Sequence, residues 1–211
     1  MTVEPDPVKT EDTQKRKRWW NKFPFVVNLT IIIAVTLLIR VFVFNLYLVP
    51  SASMEPTIRG DAGTGDRIAV NKLAYVLNDI ERGDIIVFTG PDGWDAGETL
   101  VKRVIAIEGD TVSCCSPDGR LLVNGEPLDE PYVKYNFRFE EGVLDCSTDV
   151  RSKRCFPTQT VPEGQVWVMG DNRSNSKDSS FGCNSERGCQ GPVPEELVIG
   201  EVKFSFWFFG I

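Results

Sequence analysis

Apolar positions along this chain fall into two regimes. Phe23 to Ile39 is almost wholly apolar, broken only by Pro24, Asn28, Thr30 and Thr36, and after Arg40 the run continues from Val41 to Val49. Seventeen helical residues cover roughly 25 Å, close to the hydrocarbon thickness of a bilayer, and a few more complete a crossing. Beyond Pro50 the apolar runs become short and each is closed by a turn signal. Arg67-Ile-Ala-Val-Asn71 follows a Gly-rich turn. Asp84-Ile-Ile-Val-Phe-Thr89 ends at Gly90-Pro-Asp-Gly93, and Thr99-Leu-Val-Lys-Arg-Val-Ile-Ala-Ile107 ends at Gly109-Asp110. Arg120-Leu-Leu-Val123 meets Asn124-Gly125, a hairpin signal. Gln165-Val-Trp-Val-Met169 and a long run from Val198 to Phe209 complete the series. Helical periodicity is confined to the first run, with a short turn around 72–78. The expectation is a mostly β protein: a single N-terminal transmembrane helix, then a β-rich, barrel-like or sandwich domain. Residues at about 111–160, denser in loop signals and cysteines, read as a small inserted cap.

Charge sharpens this division. Residues 1–23 carry six basic and four acidic side chains, whereas the part after Arg40 carries 16 basic and 26 acidic ones. An acidic globular part argues against nucleic-acid binding. Lys15-Arg-Lys-Arg18 precedes the apolar run and Trp19-Trp20 fits an interfacial belt, so the positive-inside rule places the N-terminus in the cytoplasm. Arg40 snorkels to the far interface. Residues 1–22 are then a disordered cytoplasmic tail, 23–48 a transmembrane anchor in the plasma membrane, and 49–211 an extracytoplasmic domain. A cleaved secretory signal is the rival reading, with Ser51-x-Ser53 as its small-x-small site. The apolar stretch is longer than the ~7–15 residues of such a segment.

All six cysteines lie beyond the apolar run, an even count that suits an oxidising exterior. Cys146 with Cys155, and Cys183 with Cys189, are close enough to staple short loops. Cys114-Cys115 either bridge locally or pair elsewhere. A zinc site lacks both histidines and CxxC spacing, so no metal is expected; reduced cysteines are the remaining alternative.

The chain has no histidine. A serine nucleophile would therefore need a carboxylate, tyrosine or lysine as its base, and Ser-Lys enzymes show that lysine serves. Ser51-Ala-Ser53-Met-Glu-Pro-Thr57 stands at the end of the apolar run, bracketed by Pro50 and Pro56, which restrict the backbone. Among the lysines, Lys102 is set inside an apolar strand. Alternation sends Lys102 and Arg103 to opposite sides, and desolvation of a lysine favours its neutral form. A third block, Gly170-Asp-Asn-Arg-Ser-Asn-Ser-Lys-Asp-Ser179, is a dense polar turn after an apolar strand. Taken singly, each block has an ordinary reading: a Ser/Pro linker, a charged strand edge, a solvated Asx-type turn.

Together and in this order they resemble bacterial type I signal peptidase, the Ser-Lys leader peptidase family. The resemblance rests on Pro50-Ser-Ala-Ser-Met-Glu-Pro-Thr57, Gly65-Asp-Arg67 with Asn71-Lys72, Arg82-Gly-Asp84, Val101-Lys-Arg-Val104 with Gly109-Asp110, and Gly170-Asp-Asn-Arg173 through Ser176-x-Asp-Ser179. It implies Ser53 as nucleophile and Lys102 as general base. It implies an oxyanion hole from the Ser51 hydroxyl and the Ser53 N–H, with Ser176 bonding the Lys102 amine and Asp178 and Asp171 in support. It places Val49, Ile58, Leu100 and Val101 in shallow pockets for small side chains of an extended substrate added to a sheet edge. The implied partners are preprotein signal peptides, membrane lipid and a nearby secretion translocon; no cofactor is implied.

One position departs from the family pattern. Ser180 stands where an arginine usually follows the Asp-Ser pair, before a Cys183–Cys189 insertion, so either Lys177 or Arg187 substitutes as the partner of Asp178 or the support is rearranged. The rivals are a related Ser-Lys peptidase with one dedicated substrate, or a membrane-tethered β-domain that only binds. The distance between Ser53 and Lys102 separates the last from the rest.

Overall fold

A computed structural model describes residues 23–94, 96–185 and 188–206. The tail expected over 1–22, with Lys15–Arg18 and Trp19–Trp20, lies outside the described residues, as do Arg187 and the end of the final aromatic run. The chain divides into two compact units, 1–43 and 44–211.

The first unit contributes helix α1 (Phe23–Phe42). Thr30 and Thr36 return their hydroxyls to the carbonyls of Val26 and Ile32, four residues back, so neither leaves an unpaired polar group on an apolar helix. Its described side chains, Pro24 to Leu38, are exposed. That stretch is roughly 22 Å long, and among the described residues no helix is long and apolar enough to cross a membrane. The helix ends at Phe42. Residues 44–48, read from the sequence as the end of the anchor, form a β-strand instead, because alternate residues there pair with and pack on a neighbouring strand.

The second unit is mostly β. Its strands are β1 (Phe44–Leu48), β2 (Arg67–Asn71), β3 (Ile85–Thr89), β4 (Thr99–Ala106) and β5 (Thr111–Cys114). There follow β6 (Leu121–Val123), β7 (Glu126–Pro127), β8 (Phe156–Thr160), β9 (Gln165–Met169), β10 (Val193–Pro194) and β11 (Val198–Phe206). A single helical turn, α2 (Ala74–Leu77), follows β2. Seven strands form one antiparallel sheet in the order β1-β2-β11-β3-β4-β9-β10. It retains two edges, so it is a curled half-barrel rather than a closed barrel. The other four, all from residues 111–160, form a second sheet in the order β7-β6-β5-β8.

Two apolar clusters serve the larger sheet. Val49, Met54, Ile58, Ile68, Val70 and Val87 form one, and Ile86, Phe88, Val104, Val166, Val168 and Val193 the centre of the other. A third joins the sheets, where Trp167 and Ile105 meet Val112, Leu121 and Phe156, and Phe156 stacks on Trp167. On the outer surface, Leu46 and Phe204 flank Ala69 from either side, and both are exposed.

The three disulfides join consecutive cysteines: Cys114–Cys115, Cys146–Cys155 and Cys183–Cys189. The alternatives left open for Cys114 and Cys115 thus resolve to a local bridge. The sulfurs of Cys115, Cys146 and Cys155 lie within 4.8 Å of one another, so two of the bridges meet on the small sheet.

Asp110 couples the two sheets. Its carboxylate accepts from Arg82 Nε at 2.7 Å, from the Ile107 N–H at 2.9 Å and from Asn124 Nδ2 at 2.8 Å. Asn124 also accepts the Thr111 N–H and turns the β6–β7 hairpin with positive φ, followed by Gly125 at φ 83°. This is the turn that Asn-Gly favours. Burial raises the Asp110 pKa, but its bonds to Arg82, Ile107 and Asn124 outweigh that and leave it below the ordinary carboxylate range. A carboxyl so depressed adds stability above its unfolded pKa of about 3.9 and loses it as pH falls through the folded value. Asp110→Ala is therefore expected to lower stability at pH 7 by about 2 kcal/mol. Melting curves taken from pH 7 downward should show the gap from wild type closing below about pH 4.

Candidate active site

Ser53 stands in the 3₁₀ turn Ala52–Met54. Met54, fully buried beside Val49 and Ile58, fastens the turn to the sheet. The chain enters through Ser51 in extended conformation. A second loop braces that entry: Val49 donates its N–H to the Asp66 carbonyl and accepts the Asp61 N–H. Gly60 lies so close that a Cβ there would sit 1.7 Å from the Ser51 carbonyl oxygen.

Lys102 lies in β4, opposite Ile86 of β3. It is 4% exposed and Ser53 9%. Lys102 Nζ is 3.0 Å from Ser53 Oγ and donates to the Val101 carbonyl at 3.0 Å. Ser51 Oγ is 3.4 Å from Ser53 Oγ, on the exposed side. Ser51 and Ser53 of one turn and Lys102 from a distant strand therefore meet in one place.

The segment after β9 forms the wall behind this group. Asn172 donates its N–H to the Ser53 carbonyl at 3.0 Å and its Nδ2 to the Ala52 carbonyl at 3.1 Å. Asp171 is 1% exposed, and its carboxylate takes two bonds from Arg103, Nε at 2.9 Å and Nη2 at 2.7 Å, and a short one from Thr57 Oγ1. Burial works against the Arg103 charge, but Asp171 outweighs it and raises the guanidinium pKa. Neighbours on β4 thus serve the two ends of one loop, Lys102 at Ser53 and Arg103 through Asp171 at Thr57. Thr57 and Asn172 escaped the sequence reading. The available signal was Arg103 beside Lys102 in an apolar strand, since a cation there needs a buried anion.

One expectation needs correction. Ser176 does not bond the Lys102 amine. Its Oγ is buried with no hydrogen-bond partner among the described residues. Ser176 leaves a 3₁₀ turn, Arg173–Asn175, in extended conformation and lies against Gly170, while Lys102 Nζ engages Ser53 and the Val101 carbonyl. For Asp178, the alternative of a rearranged support fits: neutral donors meet its carboxylate. Its Oδ2 accepts the Gly170 N–H at 3.0 Å, and its Oδ1 accepts the Ser180 N–H at 3.1 Å and the Ser180 hydroxyl at 2.8 Å. The serine that replaces the expected arginine is itself the partner.

The four pocket candidates separate. Val49 and Ile58 are core residues, 3% and 1% exposed, in the cluster that half-buried Val101 joins. Leu100, also half-buried, packs with Phe88 in the other cluster. A cavity of about 690 Å³ lies elsewhere, lined by Cys146, Arg151, Lys153, Phe156 and Asn184 among others, and none of the residues around Ser53 borders it.

Comparison with known proteins identifies the class. The family model described as signal peptidase, peptidase S26, matches residues 22–207. A probable signal peptidase I of Mycobacterium leprae is 34% identical over 243 aligned positions, covering 95% of this chain and 80% of its own. Signal peptidase IB of Staphylococcus aureus is 30% identical, covering 88% and 89%. A crystal structure of a signal peptidase I from Enterococcus faecalis V583 is 30% identical, covers 59% of this chain and 97% of its own, and gives a TM-score of 0.39. A match of this extent makes the protein a hydrolase of the serine endopeptidase class. The chain belongs to the signal peptidase family, peptidase S26.

Gly170 offers a sharp test of this geometry. A Cβ there would stand 2.4 Å from Ser176 Oγ and 2.5 Å from the Ser53 carbonyl oxygen, so Gly170→Ala must push the wall away from the turn. Peptidase activity is expected to fall about 100-fold, the cost of displacing a reacting group by about 1 Å. Asp178→Ala, which strips the Gly170 N–H of its acceptor, should lower both activity and melting temperature.

Proposed function

We propose that this protein removes N-terminal signal peptides from secreted preproteins, with Ser53 as nucleophile and Lys102 as general base. The observation that carries the reading is the 3.0 Å separation of Lys102 Nζ from Ser53 Oγ in a site where both residues are buried. Removing an ammonium from water favours the neutral amine, which can accept a proton. Without any histidine in the chain, this lysine is the base within reach of the serine.

In this reading Ser53 Oγ attacks the scissile carbonyl as its proton passes to Lys102 Nζ. The oxyanion is held by the Ser51 hydroxyl and the Ser53 N–H. Protonated Lys102 then gives its proton to the leaving amine, and an acyl-enzyme on Ser53 remains. Lys102 next takes a proton from water as the water attacks the ester, and returns it to Ser53 Oγ as the acyl C–O bond breaks, which frees the acid and restores the enzyme. Asp171, Asn172 and Asp178 hold the wall against the turn. The substrate lies extended along the sheet edge, over apolar ground at Val101, with Val49 and Ile58 of the same cluster as the buried floor. Shallow ground of this kind admits small side chains and explains a small-x-small requirement.

The same proposal keeps the anchor. The apolar run from Phe23, with basic residues before it, holds the enzyme in the plasma membrane with its β unit outside. The exposed side chains of Phe44, Leu46 and Phe204 suit contact with lipid near emerging signal peptides.

Cleavage of a synthetic preprotein in lipid, by wild type, Ser53→Ala and Lys102→Ala, tests the assignment. Wild type should cut after a small-x-small site, and each variant should lose at least about 1,000-fold in kcat. Cleavage that survives Lys102→Ala alone would require another base.

A further inference from the structure

The small sheet is joined to the candidate site by more than packing. Between β7 and β8 the chain passes the wall behind Ser53, touching it at two points and touching Arg103, which holds it, at a third. Glu130 pairs with Arg173 through a short contact in which the side chains are 12% and 6% exposed. The Tyr132 hydroxyl donates to the same Glu130 oxygen at 3.0 Å, and the Tyr132 ring lies under the Arg103 guanidinium at 4.0 Å. Tyr135 then forms a parallel bridge with Asn172.

Each contacted residue acts on the wall. Arg173 Nε donates to the Gly170 carbonyl at 3.0 Å. Arg103 holds Asp171, and Asn172 holds the backbone of Ala52 and Ser53. Both arginines are largely out of water, so each needs a compensating partner and takes up the position where that partner stands. An aromatic face supplies part of this for a desolvated guanidinium. Glu130 and Tyr132 face the two cations together, and the bond between them locks one partner to the other.

We propose that Glu130 and Tyr132 are positioning residues for the peptidase reaction, through which the inserted cap sets the placement of the wall and hence of Ser53. The inference rests on Ser53 being the nucleophile. Neither residue touches the reacting atoms. Their effect passes through Arg173 and Arg103, so it falls on the chemical step and not on substrate capture.

The test uses the full chain in lipid with a synthetic preprotein, comparing wild type, Glu130→Gln, Tyr132→Leu, Tyr132→Phe and Ser53→Ala. Tyr132→Leu and Glu130→Gln are expected to lower kcat at least about tenfold, with KM within about twofold of wild type, because misplacement costs the chemical step. Tyr132→Phe keeps the ring under Arg103 and should recover most of the kcat lost in Tyr132→Leu. Modification of Ser53 by a small serine-acylating reagent, which needs no peptide groove, should slow in parallel with kcat. Wild-type kcat in folded Glu130→Gln and Tyr132→Leu, with Ser53→Ala inactive, overturns this inference alone. A rise in KM at unchanged kcat also overturns it, since these residues would then be substrate contacts. Activity in Ser53→Ala overturns the underlying reading and this inference with it. If Tyr132→Leu does not fold, the near-isosteric Glu130→Gln decides by the same criteria.

Discussion

The ion pair between Arg103 and Asp171 is the constraint around which the site is built. A carboxylate 1% exposed is costly unless its charge is compensated and its oxygens are bonded. Asp171 satisfies both needs only when three distant segments converge: β4 brings Arg103, the loop after Ser53 brings Thr57, and the segment after β9 brings the carboxylate. Once they have converged, Asn172 necessarily lies against the Ala52–Ser53 backbone, and Lys102 lies beside Ser53. The ion pair touches neither Ser53 nor Lys102, yet it decides where both stand.

Burial of a lysine next to a serine is the second constraint. An amine in water remains protonated at neutral pH, and only a site that withholds water makes it a useful base. Here β4 threads Lys102 between two apolar clusters, opposite Ile86, while Met54 seals the turn that carries Ser53. The same apolar residues thus form the fold and condition the chemistry. The Ser176 hydroxyl, buried next to Gly170, has no hydrogen-bond partner among the described residues.

The cap illustrates how an insertion becomes part of a structure it interrupts. Its four-stranded sheet shares a core with the larger one through Trp167 and Phe156, and Asp110 spans the junction by bonding Arg82 on one side and Asn124 on the other. Two disulfides hold this small sheet, which has little apolar core of its own. Its return segment supplies Glu130 and Tyr132 to the arginines behind the site.

Much of this was legible in the sequence because it is written in local patterns. Alternation marked the strands, Asn124-Gly125 marked its hairpin, and the absence of histidine turned attention to Lys102 in an apolar strand. Motif order supplied the family. Pairwise partners were not legible wherever they join residues far apart in the chain. Lys177 was a reasonable counter-charge for Asp178, yet the folded turn brings Ser180 and the Gly170 N–H to that carboxylate. Ser176 was assigned to the lysine, but its backbone leaves the turn toward Gly170. Residues 44–48 continue the apolar run before them with only Asn45 and Tyr47 interposed, and pairing with β2 separates strand from helix. The sequence by itself determined which groups are candidates for the chemistry, since residue type and local burial pattern are properties of short stretches. The tertiary structure alone decided who bonds to whom, because a buried charge accepts whichever donor the packing of distant segments delivers.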